Sequence, residues 1–344
     1  MIEHAFGRSE PWSVGIEEEL FVLDAETLDP APFPPGSLDG VRFKAELFAS
    51  VVELNTGVCS SVAAAVDELA GLRAEAKRRA GRAGLVLAAS GTWPIAISEE
   101  QPITDDEGYL RFVDYAGSAA RRQYVCGLHV HIGVASPEVC MERLEAVLPW
   151  LPPVLAVSAN SPYLAGRESG LASARAEILG LLPRSGAPPV FGSYADWESF
   201  AERLLALGLA DEYTRIWWDV RPHPRFGTLE LRIPDQPTRL EASAVLADIL
   251  HALAVSVDGG PPADRGLYAQ NRWAALRFGR GAELIHPEGS RLATADELLA
   301  ELLERLARAD LRDPLMGLDQ AGEQLEVGRR EGLRALCERL VALT

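Results

Sequence analysis

Val125–Val134, VCGLHVHIGV, places two of the chain's six histidines at alternate positions of an apolar run. Such alternation marks a β-strand, in which residues two apart stand on one face. His129 and His131 therefore share a face, and Leu128, Val130 and Ile132 share the other. Cys126 is an odd number of residues from both histidines and faces away from them, so this segment alone does not build a three-ligand zinc site.

Three further segments follow the same pattern. In VGIEEELFVLD, Val14–Asp24, Glu17 and Glu19 share a face and Glu18 points the other way. In ELFASVVELNTGVC, Glu46–Cys59, Glu53 and Asn55 share a face against Val52 and Leu54. In GTLELRIPD, Gly227–Asp235, Glu230 and Arg232 stand opposite Leu229, Leu231 and Ile233. Any one of these polar faces reads simply as a strand turned to water. Together they are less ordinary, because a solvated face favours Lys and Thr, whereas these carry the oxygen and nitrogen donors of divalent metals. Carboxylates crowded on one face repel unless cations neutralise them, which points to Mg²⁺ or Mn²⁺. A single arginine among them suits phosphate or carboxylate, which guanidinium grips with two parallel hydrogen bonds. Acids, histidine, metal and arginine together suggest phosphoryl transfer on a nucleotide.

The rest of the chain sets bounds on function. Its 344 residues carry a formal charge of −17, and the densest basic run, Lys77–Arg82, reads as a helix end, so no basic face for nucleic acid is expected. The first residues lack the basic and apolar regions of a signal peptide, and the longest apolar run, Ala146–Ala159, is short and broken by prolines. The four cysteines show no paired spacing, which fits a reducing compartment. A cytoplasmic protein without membrane contact is the expectation. The helical C-terminal region leaves a homodimer open.

Ser60/Ser61 are positioned to cap a helix running to Arg82, and Ser136-Pro137 to start another. Ser193–Asp196, Thr238–Glu241 and Thr294–Glu297 read as capping boxes. Residues 158–192 read as a long loop with one short helix, and loops are expected at Gly281–Ser290 and Asp313–Gly322. Strands and helices mix without regular βαβ alternation, so the expectation is one α+β domain, residues 1–344, with an antiparallel sheet. There is no P-loop, no G-x-G-x-x-G after a strand and no G-x-S-x-G elbow.

In order along the chain, VGIEEELFVLD, ELFASVVELNTGVC, SGTWP, CGLHVHIGV, WWDVRP and GTLELRIPD resemble the bacterial carboxylate–amine ligases, the second type of glutamate–cysteine ligase, within the glutamine-synthetase-like superfamily. The resemblance spans about Ser13 to Phe278. It implies a curved antiparallel sheet whose concave face holds ATP and two or three divalent metals, with helices on the convex face. Glu17 and Glu19 match the family's G-x-E-x-E metal ligands, Glu46 and Glu53 a second acidic pair, and His129 and Glu230 further metal ligands. Arg232 matches the arginine that holds the transferring phosphoryl group, and with Glu53 is expected at the reacting atoms. His131, Arg175 and Arg221 fall at positions that could contact nucleotide or substrate. Trp93 stands where family members usually carry histidine, a departure that bears on amino-acid specificity. The implied reaction joins a carboxylate to an amine at the cost of ATP, most simply glutamate to cysteine. Two other readings stay open at this point: a metal-dependent amide or ester hydrolase built on the histidine pair, and a catalytically silent nucleotide-binding homologue.

Overall fold

A computed structural model describes residues 2–34 and 36–344. Seven strands form its main sheet: β1 (Val14–Asp24), β2 (Phe43–Ala45), β3 (Val51–Asn55), β4 (Leu85–Ala88), β5 (Leu128–Gly133), β6 (Val220–His223) and β7 (Thr228–Leu231). The spatial order is β6-β7-β5-β1-β3-β2, and every pairing is antiparallel. The eleven-residue β1 is the spine. One of its edges carries β3, and the other carries β5 along Val14–Glu18 and then β4 along Phe21–Asp24.

Parity sorts the two faces. Ile16, Leu20 and Val22 of β1 join Val52, Leu54, Leu128, Val130, Ile132, Leu229 and Leu231 in one continuous apolar core. Three helices cover that face: α1 (Val62–Gly81), α3 (Pro137–Val147) and α4 (Leu240–Ser256), with α2 (Glu107–Ala116) lying elsewhere, at the site. Ser61 and Ser136 cap α1 and α3 as the sequence predicts, each hydroxyl accepting a backbone N–H of the first turn. The buried residues of α1, Ala65, Leu69, Ala76 and Ala80, recur at helical spacing, and Arg73 stands among them. Arg73 reaches through the core to Glu18, the polar residue on the apolar side of β1: Nε lies 2.6 Å from Oε2 and an Nη 2.8 Å from Oε1. Ser243 and Gln236 donate to the same carboxylate, so the buried charge is fully bonded.

The opposite face changes character along β1. Gly15, Glu17 and Glu19 are followed by Phe21 and Leu23, which belong to a second, smaller core with Phe48, Trp93 and Tyr124. Trp93 is fully packed there, its indole N–H donating to the carbonyl of Leu28 at 3.0 Å.

Several sequence expectations are corrected. Thr238–Glu241 is not a capping box. Its helix begins at Leu240 behind Arg239, with no side-chain cap, because the Thr238 hydroxyl instead accepts from Asn160 at 3.0 Å. Ser193 caps its helix at Asp196, and Thr294 with Glu297 forms the complete box. Glu283–Ile285, inside the loop expected at Gly281–Ser290, is a strand that pairs with Leu292–Thr294 just beyond it, and helices Arg312–Met316 and Gln320–Glu331 take up the two ends of the loop expected at Asp313–Gly322. No helix among the described residues is long and apolar enough to cross a membrane.

Candidate active site

The strand register lines up the polar side chains of all four predicted segments. Across the first row, Arg221 on β6 faces Glu230 on β7, which faces His131 on β5, which faces Gly15 on β1. Across the second, His129 faces Glu17, which faces Asn55 on β3. Across the third, Glu19 faces Glu53, which faces Lys44 on β2. Directly opposed side chains of one face are close neighbours, so residues from Glu17 to Glu230 in sequence make a single polar surface.

Two groups of donors form on it. Oxygens or nitrogens of Glu17, His131 and Glu230 lie within 4.8 Å of one another, and so do oxygens of Glu19, Glu46 and Glu53. Gly15 presents no side chain opposite His131, whose Nε2 lies 3.4 Å from Glu17 Oε1. The other ring nitrogen is held by the Thr228 hydroxyl at 2.9 Å, while Nε2 is buried with no hydrogen-bond partner. A buried, oriented, unpartnered imidazole nitrogen between two carboxylates is what a divalent metal requires. The donor set thus fits the metal. The resemblance gives a ligand's part to His129; the geometry groups His131 with the carboxylates, and His129 lies beside them, Nδ1 3.3 Å from Glu17 Oε2.

Charges respond to this crowding. Burial works to raise the Glu17 and Glu230 carboxyls, yet His131 beside Glu17, and Arg221 and Arg232 beside Glu230, hold both well below the usual carboxylate range. Burial and the neighbouring carboxylates of Glu53 and Glu19 push Glu46 well above it, and burial raises Glu19 too. His129 is pushed down to about 4 by burial and the charge of Arg232. The Glu19/Glu46/Glu53 group is therefore short of positive charge, and Lys44 is the cation hydrogen-bonded into it among the described residues.

The three predicted arginines sit differently. Arg232 lines the cavity with its guanidinium paired to Glu230, and its backbone N–H donates to Asp219 at 2.8 Å. Arg221 grips Glu230 with two bonds of 2.7 and 3.1 Å and donates to the carbonyls of Thr214 and Ile216. Its fork braces Glu230. Arg175 is fully buried behind the sheet end, donating to the carbonyls of Arg232 and Ile233. It touches the site through the backbone of Arg232.

Above this surface opens a cavity of about 1540 Å³, lined by Glu17, Glu19, Glu46, Glu53, His129 and Arg232 on its floor. Its walls come from Tyr109 and Arg111 of α2, Arg215, and the β6–β7 turn with Arg225 and Phe226. The Phe226 ring stacks on His223 at 4.2 Å, and His223 meets the edge of His131 at 5.3 Å. Burial pushes His223 down to about 3. Lys44, Tyr109, Arg215, His223 and Phe226 are the side chains that sequence reasoning passed over. A signal existed for Lys44, which stands two residues before Glu46 and so on one strand face with it.

The sequence pattern of glutamate–cysteine ligase family 2 (GCS2) matches residues 13–334. The chain belongs to this family. Family 2 membership makes it a ligase that forms carbon–nitrogen bonds, a carboxylate–amine ligase. Among its relatives, "Putative glutamate–cysteine ligase 2-3" of Rubrobacter xylanophilus is 39% identical over 312 residues, covering 89% of this chain and 86% of that one. A protein of Frankia alni with the corresponding name, numbered 2-1, is 37% identical over 318 residues, covering 88% and 83%. Among solved structures, the glutamate–cysteine ligase of Francisella tularensis in complex with AMP superposes with a TM-score of 0.70 at 12% identity, covering 97% of this chain and 88% of that one. A bifunctional glutathione synthetase of Pasteurella multocida gives 0.68 at 15% identity, covering 96% of this chain and 49% of that one. These two likenesses show that this family 2 chain shares the glutamate–cysteine ligase fold.

Proposed function

We propose that this chain couples ATP cleavage to amide formation through an acyl phosphate, with glutamate and cysteine as the simplest substrate pair. The observation that carries the proposal is the cross-strand array itself: two metal-fitting donor groups, each presenting carboxylates to the floor of a single large cavity that Arg232 also lines. A free carboxylate is a poor acyl donor because its leaving group is oxide or hydroxide. Transfer of the γ-phosphoryl group of ATP to the carboxylate oxygen gives ADP and an acyl phosphate. The amine nitrogen then attacks the acyl carbon, phosphate departs, and the nitrogen loses a proton. Residues 1–344 serve this reaction as one catalytic domain in our reading, a view supported by a main core whose members run from Phe6 to Leu315.

The protein contributes position and charge, since phosphoryl transfer through a loose transition state leaves little covalent work to side chains. Glu17, His131 and Glu230 would hold one divalent metal and Glu19, Glu46 and Glu53 another, with His129 completing or orienting either group. Bound Mg²⁺ neutralises phosphate charge. Arg232, fixed at its Nη by Glu230 and at its backbone by Asp219, keeps a rigid cation at the cavity floor for the transferring group. Arg221 keeps Glu230 in place, and Arg175 supports the backbone that carries Arg232. The walls of α2 and the β6–β7 turn limit water at the acyl phosphate, whose hydrolysis would waste ATP.

Incubation with Mg²⁺, ATP and a panel of amino acids and amines tests the reading. ADP release that needs both an acid and an amine supports it. Turnover of an amide or ester without nucleotide, or nucleotide binding with no turnover across the panel, refutes it.

A further inference from the structure

At the β2–β3 edge of the site, a closed ring of three hydrogen bonds holds one oxygen of Glu53. Lys44 Nζ donates to Glu53 Oε1 at 2.9 Å, and Asn55 Nδ2 donates to the same atom at 2.7 Å. Lys44 Nζ also donates to Asn55 Oδ1 at 2.9 Å, which closes the ring and fixes the Asn55 amide. The register makes this ring: Lys44 lies directly across from Glu53, and Asn55 stands two residues along the same face of β3. Glu53 and Asn55 are both 7% exposed and the Lys44 side chain 35%, so water reaches the ring from the Lys44 side only. Glu19 and Glu46 complete the carboxylate group on the other side of Glu53.

We propose that Lys44 and Asn55 are positioning residues that keep Glu53 a one-oxygen metal ligand, and that they thereby favour Mg²⁺ over Ca²⁺ at the Glu19/Glu46/Glu53 group. This rests on the metal reading given above. Both donors fall on Oε1, which leaves Oε2 for a cation, whereas two-oxygen ligation would need both atoms. Ca²⁺ takes about six to eight oxygens and readily uses both atoms of a carboxylate; Mg²⁺ is smaller, near-octahedral and binds through single oxygens. Locking Oε1 removes a ligand from Ca²⁺ and none from Mg²⁺. The Lys44 charge has a separate effect, repelling both divalent ions alike. The ratio of the two affinities therefore isolates the clamp from the charge.

Calorimetric titration of the nucleotide-free protein with MgCl₂ and with CaCl₂ tests this in the unmodified chain, in Lys44→Met and in Asn55→Ala. The binding component that Glu46→Gln removes is the one compared, and a circular-dichroism melt checks the fold of each variant. Methionine keeps the apolar stem without the charge, and alanine leaves the ammonium in place. The ratio Kd(Ca²⁺)/Kd(Mg²⁺) is expected to fall about tenfold in both variants, the factor that one charge-assisted hydrogen bond commands. Mg²⁺ itself should tighten only in Lys44→Met. A ratio unchanged in both variants overturns the clamp. A ratio changed in only one of the two variants shows that the other side chain takes no part in holding Oε1, and overturns the two-residue clamp as well. If the unmodified chain binds neither ion, the metal reading itself fails and the clamp falls with it.

Discussion

Arg232 shows how tightly single residues are determined at this site. Its Nη is paired to Glu230, its N–H is bonded to Asp219, and its carbonyl accepts from Arg175. Lysine there would keep the charge and lose the planar fork. Arg232→Lys should lower turnover at saturating ATP on the order of 10²–10³-fold, the usual loss for a preorganised donor, with the fold intact. Steady-state kinetics with near-normal turnover would remove Arg232 from the mechanism. Gly127 is a second tightly determined position, because a Cβ there would meet the Arg175 guanidinium at 2.1 Å. Gly127→Ala must therefore displace the Arg175 guanidinium, which holds the Arg232 carbonyl. A loss of about 1–3 kcal/mol in urea unfolding, with a parallel loss of activity, is expected from such overpacking. Unchanged unfolding would show that Arg175 can move freely. Glu17, Glu19, Glu53, Glu230 and His129 were legible from alternation because the strands that carry them show their parity in the sequence. Glu46 came from the resemblance, since it lies just beyond β2 and has no strand of its own. What stayed hidden was set by pairing: both histidines lean on Glu17, His129 from directly opposite and His131 from its place opposite Gly15, and no single segment contains that fact.

The strands that read clearly are the central ones. β1, β3, β5 and β7 carry long alternating patterns, while the two edge strands were missed. β6 contains Pro222, which argues against a strand from sequence, yet an edge position needs no ladder bond from a missing N–H. β2 has only three residues and offers too little pattern to read. These edges supply His223 and Lys44, so the unread strands account for part of the unread site. The helix layer depends on a different feature, the Glu18–Arg73 pair that ties β1 to α1. Removing one partner of a buried pair leaves an uncompensated charge, so Arg73→Met should cost about 3–5 kcal/mol in chemical denaturation. Glu18→Gln combined with Arg73→Met should recover part of that loss. A single substitution costing less than about 1 kcal/mol would show that the pair does not join the layers.

Over the whole molecule, a formal charge of −17 and a floor of facing carboxylates make cation binding a matter of stability as well as catalysis. A ligand that binds only the folded chain stabilises it by about 2.7 kcal/mol at a hundred times its Kd. The melting temperature should therefore rise with Mg²⁺ concentration in the unmodified protein. The rise should shrink in Glu46→Gln and in Glu230→Gln, one variant for each donor group. A melting temperature indifferent to Mg²⁺ would contradict the metal assignment. The central claim is that the carboxylate oxygen of the substrate leaves on phosphate. An acid that supports ADP release, labelled with ¹⁸O in its carboxylate, measures this directly when turned over with ATP, Mg²⁺ and the amine. Mass spectrometry of the released phosphate should find one ¹⁸O atom per amide formed. Phosphate free of label, with amide still produced, would contradict an acyl-phosphate route.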